Sequence, residues 1–148
     1  MKQLWMLVGG NGSGKSTFYE QMLKPKGMPF INADIIAKEA FPDDPVNNSH
    51  KAARIAEELR FDKLRQGYSF CFETVFSHVS KPADKILSRL PRTFDNVKAA
   101  IPLCDEVHVL DNSRLDDPFK RVLSIINSQI SARVDAALPS WVLALIGE

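Results

Sequence analysis

Three features of the 148-residue sequence predict a three-layer α/β fold with a mostly parallel sheet and a C-terminal β-hairpin. Short apolar runs alternate with helical stretches as far as Leu110. A glycine-rich turn, GGNGSGKST, joins the first run to the first helix. A β-branched tail doubles back around Asn127-Ser128-Gln129. Strand–helix alternation of this kind implies right-handed crossovers between parallel strands.

The elements follow in order. Gln3 to Val8 is almost wholly apolar, the pattern of a strand buried on both faces of a parallel sheet. Ser16 to Leu23 reads as a helix, ended by Lys24-Pro25-Lys26-Gly27. Met28 to Ile31 is a second strand closing on Asn32-Ala33-Asp34, and Ile35 to Ala40 supplies one or two helical turns. Ser49 is placed to cap an amphipathic helix with Ala53, Ala56, Leu59 and Leu64 as its apolar stripe, solvated by Arg54, Glu57 and Glu58 and stopped by Gly67. Tyr68 to Phe72 is a third strand, ending at Glu73. From Pro82 the pattern is helical through Ile86, Leu87 and Leu90, breaks or kinks at Pro91, and resumes from Arg92 to Ile101. Val107 to Leu110 is a fourth strand, followed by the turn-rich DNSRLDDP. Arg121 to Ile126 and Ile130 to Val134 suit a hairpin, although the same apolar positions also fit helical spacing. A short apolar helix, Trp141 to Ile146, follows Pro139.

Composition sets bounds on function. One domain of this length buries roughly 70% of its unfolded surface. Hydrophobic and charged contents of 45% and 25% are those of an ordinary globular chain. A net charge of +1 creates no global field for nucleic acid or an acidic membrane. Cys71 and Cys104 lack metal-ligand spacing and are expected to be thiols, and the opening apolar run is too short for a secretory signal. The expectation is a cytoplasmic domain with neither nucleic acid nor membrane as partner.

Gly9-x-x-x-x-Gly14-Lys15-Ser16 matches the P-loop pattern in full, in the strand-before, helix-after context it requires. Glycines let backbone N–H groups converge on an anion, and the following helix offers its N-terminus to the same phosphates. Lys15 supplies charge to the β- and γ-phosphates, and the Ser16 hydroxyl can ligate Mg²⁺. Gly10, Asn11, Gly12, Ser13 and Thr17 complete the nucleotide contacts. Three acids sit at strand ends, where sites gather in parallel α/β sheets: Asp34, Glu73 and Asp111. Asp34 could take the proton of an attacking hydroxyl or cap the next helix. Glu73 could orient a substrate hydroxyl, hold a metal-bound water, or serve as a cap or a strand-end ion pair. Asp111, with Asn112 and Ser113, suits a turn. Arg89 and Arg92 share a helix face unless Pro91 breaks it, and could face developing phosphoryl charge or solvent. His50, His78 and His108 show no ligand spacing.

Together GGNGSGKSTFYE, FINADIIA, FCFETVFSH, PADKILSRLPRTFDNVKAAIPLCDEV and VLDNS before DDPF resemble the zeta toxin family of P-loop kinases over nearly the whole chain. The resemblance implies a P-loop NTPase/kinase fold and an ATP- and Mg²⁺-dependent kinase acting on a hydroxyl of a small metabolite. In better-known members that acceptor is UDP-N-acetylglucosamine, and a small helical antitoxin holds the enzyme inactive. Carried over by position, Lys15 and Ser16 match the phosphate and metal contacts and Asp34 the general base. Glu73 and Thr74, in FET, match the substrate side, and Arg92 falls near a phosphate arginine of the lid.

One departure is large. The family continues after FETVFSH through a helix, a parallel strand beside the P-loop strand, and an arginine-bearing lid. Here His78-Val79-Ser80-Lys81 passes straight to Pro82-Ala83-Asp84. Loss of a mid-sheet strand would leave backbone groups unpaired on both sides. A segment absent between Lys81 and Pro82, pairing of strand one with strand four, or a partner chain would close the gap. The first is favoured, and it predicts a Cα separation near Lys81–Pro82 far above the ~3.8 Å of bonded residues.

Overall fold

The computed structural model describes residues 1–74, 94–133 and 138–147. The chain divides into two compact units, Met1–Val8 with Lys15–Thr74, and Gly9–Gly14 with Val75–Glu148.

The first unit runs β1 (Leu4–Val8), α1 (Lys15–Phe18), β2 (Phe30–Ile31), α2 (Ala33–Ala40), α3 (Ser49–Gln66) and β3 (Phe70–Thr74). Helix α1 widens into a π-helical turn over Tyr19–Leu23 and tightens again at Lys24–Lys26, where the expected break falls. The three strands form a parallel sheet in the order β1-β3-β2, with Val8 opposite Thr74 and Ile31 opposite Phe72. Alternation along β3 separates two cores. Cys71 packs with Tyr19 and Leu23, joined by Trp5, Leu7 and Phe30, whereas Phe70 packs with Ile31 and Ala56, joined by Phe72 and Ile36. Tyr19 stacks on Phe30 with ring centroids 4.1 Å apart, and its hydroxyl donates to the Met28 carbonyl.

Two expectations change here. Asn48, not Ser49, precedes the first turn of α3, and its side chain makes no capping bond. The buried line of α3 is Ala52 and Ala56, while Ala53, Leu59 and Leu64 are exposed. Alanines four apart let α3 approach its neighbours closely, so the smallest side chains rather than the leucines mark the packed face. Strand β1 is also less enclosed than its sequence predicts. Leu4 is 52% exposed and the other four residues are half-buried. Trp5 and Leu7 join the Tyr19–Leu23–Cys71 core, but Leu4, Met6 and Val8, on the opposite face, join no core cluster among the described residues.

In the second unit residues 94–100 form α4, followed by a 3₁₀ turn at Ile101–Leu103, β4 (Glu106–Asp111), β5 (Lys120–Ile126), β6 (Gln129–Arg133) and α5 (Ser140–Ile146). These strands make an antiparallel sheet in the order β4-β5-β6. Val109, Val122, Leu123, Ile125, Val142 and Leu145 form its core, with Phe94 and Val97 of α4 packed against them. The hairpin reading of the tail therefore holds, with Val134 outside the described residues. Asn127 and Ser128 both adopt positive φ, 50° and 63°, the geometry of a two-residue primed turn. The fourth strand pairs antiparallel with β5, because the short stretch 112–119 is too brief for a crossover helix. Among the described residues β1 pairs with β3, and β4 pairs with β5. Lys81 and Pro82, and with them the predicted Cα gap, lie outside the described residues.

Burial pushes the Cys71 thiol up to about 12, with the nearby Glu73 charge adding to the effect. The unfolded thiol ionises near 9.0, so the stabilisation from keeping it neutral is complete below pH 9 and is lost as pH rises toward 12. Urea titrations from pH 8 to 11 are expected to show stability falling with pH, and Cys71→Ala to flatten that slope. A second expectation concerns the hairpin. Ser128→Gly removes a left-handed penalty of about 1 kcal/mol and should raise the melting temperature, whereas Ser128→Val should lower it.

Candidate functional site

The glycine-rich segment Gly9–Gly14 clusters with the second unit. Its turn is closed by the Ser13 N–H donating to the Gly10 carbonyl at 3.2 Å. Gly12 and Gly14 take φ of +77° and +90°, which side-chain-bearing residues rarely adopt. Space separates the glycines further. A Cβ at Gly10 or Gly12 would meet nothing within 4 Å, but one at Gly14 would stand 2.6 Å from Asn112 Nδ2 and 3.0 Å from Phe119 Cε1. Asn112, just past β4, donates through Nδ2 to the Ser13 carbonyl at 3.4 Å and accepts from the Phe119 N–H at 3.3 Å. Asp111 forms the expected turn by accepting from the Ser113 N–H at 3.0 Å. Sequence reasoning placed Asn112 in that turn and missed its hold on the glycine loop. Only a non-Gly residue directly preceding β5, Phe119 with φ 59°, hints at a constrained connection, and that is a structural signal.

The first unit carries the remaining motif residues. Half-buried Lys15 opens α1, with Ser16 and Thr17 exposed after it. The Ser16 hydroxyl donates to Glu73 Oε2 at 3.2 Å. This contact follows from register. Glu73 lies opposite Leu7 on the face of β3 that meets α1, one residue before the strand ends with Thr74 opposite Val8. Because the hydroxyl proton goes to Glu73, the Ser16 oxygen keeps its lone pairs for a cation. An oxygen pair of this kind suits a hard ion such as Mg²⁺. No cluster of three or more His, Cys, Asp or Glu side chains suited to a metal occurs among the described residues.

Asp34 sits exposed in the first turn of α2. The capping role considered for it belongs to Asn32, whose buried Oδ1 accepts from the Asp34 and Ile35 N–H groups at 2.7 and 3.3 Å. The Asp34 carboxylate is thereby left out of the cap, facing solvent at a helix N-terminus that favours negative charge. Arg89, Arg92 and His78 lie outside the described residues. His108 engages its neighbours on β4 and β5, with Nδ1 3.1 Å from Ser124 Oγ and Nε2 3.3 Å from Glu106. Both cysteines are free thiols. No helix among the described residues is long and apolar enough to cross a membrane.

A family model described as an AAA domain matches residues 4–89, more than half of the chain. No curated protein matches the sequence. Among solved structures, a “putative kinase” from Chloroflexus aurantiacus aligns at 17% identity and a TM-score of 0.44, covering 64% of this chain and 53% of that one. The chain thus spans about half the length of that protein.

The three glycines should respond to alanine in a fixed order. Gly10→Ala should leave stability within about 0.5 kcal/mol of wild type. Gly12→Ala should cost about 1–2 kcal/mol through its backbone conformation, and Gly14→Ala more than either, since crowding against the Phe119 ring adds to the conformational cost. Thermal unfolding of the three variants checks the order.

Proposed function

This chain belongs to the AAA-domain family of P-loop proteins, and from that premise we propose that it is a nucleotide-dependent phosphotransferase of the zeta toxin type. It would move the γ-phosphate of ATP to a hydroxyl of a small metabolite such as a nucleotide sugar. The hydrogen bond from Ser16 to Glu73 carries the reading. It brings the hydroxyl of a complete phosphate-loop motif to an acid near the end of the neighbouring strand, an oxygen pair suited to the Mg²⁺ that phosphoryl transfer uses.

Each residue has a role in this reaction. Backbone N–H groups of the glycine loop and the start of α1 hold the phosphates, and Lys15 neutralises the β- and γ-oxygens. Ser16 and Glu73 are the residues suited to hold Mg²⁺, which when bound would draw charge from the phosphate oxygens. Asp34 takes the proton of the acceptor hydroxyl as its oxygen bonds to the γ-phosphorus. The bond from that phosphorus to the bridging oxygen breaks, and ADP leaves with the electron pair. Thr74 supplies a polar group on the acceptor side. Arg92 is the lid-side cation in this reading, and a small helical antitoxin its proposed regulator, both resting on the resemblance alone.

A second reading, ATP binding without transfer, draws on the direct step from Lys81 to Pro82 where relatives of the zeta toxin type carry their arginine lid. Arginine charge of that kind is worth roughly 10³ or more in rate. Purified protein with ATP, Mg²⁺ and a panel of nucleotide sugars, followed by mass spectrometry, distinguishes the two. Transfer to one sugar is expected. Asp34→Asn should lower it by about 10²-fold or more while leaving ATP affinity near wild type, and Lys15→Ala should weaken ATP binding itself. ATP binding with no phosphorylated product across the panel would favour the second reading.

A further inference from the structure

We infer that Asn112 is a positioning residue for the phosphate loop, orienting the Ser13–Gly14 peptide so that the Gly14 N–H is presented to a bound polyphosphate. The inference rests on the phosphate-binding part of the reading above and assigns a role to a residue outside the loop motif.

A trans peptide directs its C=O and its N–H to opposite sides. Asn112 Nδ2 holds the Ser13 carbonyl oxygen at 3.4 Å, so the N–H of the same peptide, that of Gly14, points away from Asn112. A phosphate loop binds anions with such N–H groups. The loop cannot fix this orientation alone. Gly12 and Gly14, at φ +77° and +90°, flank Ser13 and have no Cβ to bias their backbone. The backbone bond from the Ser13 N–H to the Gly10 carbonyl holds the peptide before Ser13, not the Ser13–Gly14 peptide after it.

Asn112 is itself oriented. The Phe119 N–H donates to its Oδ1 at 3.3 Å, which leaves the amide nitrogen to face Ser13. Phe119 makes that bond from a left-handed backbone conformation, φ 59°, which an aromatic residue adopts at a cost. Its ring also lies over Gly14, where an added Cβ would approach Cε1 to 3.0 Å. Strain at Phe119, the amide of Asn112 and the bare Cα of Gly14 thus converge on one peptide.

The variants are Asn112→Ala, which removes donor and acceptor, and Asn112→Asp, which keeps the acceptor for Phe119 but has no donor for Ser13. Calorimetry with ATP and with inorganic tripolyphosphate, alongside melting of the unliganded protein, reads the effect. Both variants should bind both ligands about five- to tenfold more weakly, the loss expected of one hydrogen bond. Melting temperatures should stay at the wild-type value, because Asn112 is exposed. Loss of ATP affinity with tripolyphosphate unaffected would make Asn112 a base contact and overturn the inference. Unchanged affinity for both ligands, or an affinity loss that merely tracks a lowered melting temperature, would overturn it as well. If the wild-type protein binds neither ligand, the phosphate-binding reading fails and this inference with it, an outcome distinct from failure of the variants alone.

Discussion

Parallel pairing on both edges of β3 is the constraint on which the first unit depends. With β1 on one side and β2 on the other, the faces of β3 alternate between two cores. Cys71 and Glu73 share the face that meets α1, while Phe70 and Phe72 share the face that meets α3. A slip of one residue would exchange these faces, burying Glu73 against Phe72's neighbours and breaking its bond to Ser16. Fully buried Phe70 and Cys71 therefore hold more than the sheet. They hold the acid at the head of α1.

The second unit solves a different problem. Its glycine segment holds Gly12 and Gly14 in a backbone conformation that most residues resist. A turn of that kind persists only if the surroundings over-determine it. Asn112 and Phe119 do so from the connection between β4 and β5, and the buried run Val122–Ile125 anchors that connection in a core closed by α4 and α5. The same β5 that seats the hairpin thus supports the approach to the loop.

Much of this was legible in the residues. The phosphate motif, the strand–helix alternation, the hairpin and the acids at two strand ends are local patterns: a fixed spacing, a period, a turn dipeptide. Asp34's even choice between cap and free carboxylate was not legible, because Asn32 two residues earlier is an equally good cap and only the backbone shows which side chain reaches the orphan N–H groups. On α3 the choice of Ala53 over Ala52 beside the buried Ala56 went wrong for a similar reason. In SHKAARIAEEL two adjacent alanines fit the period equally, and the neighbour they pack against chooses between them.

What the sequence by itself determined is the class of chemistry: a complete P-loop between strand and helix, with carboxylates at the ends of the next two strands. Those features depend on neighbours within a few residues, where spacing dictates geometry. The tertiary structure alone decided that Glu73 pairs with Ser16 across 57 positions, that β4 turns back on β5, and that Asn112 reaches Ser13 across 99. Contacts at such separations are set by strand register and by which side chain meets a carbonyl, and neither leaves a local mark in the chain.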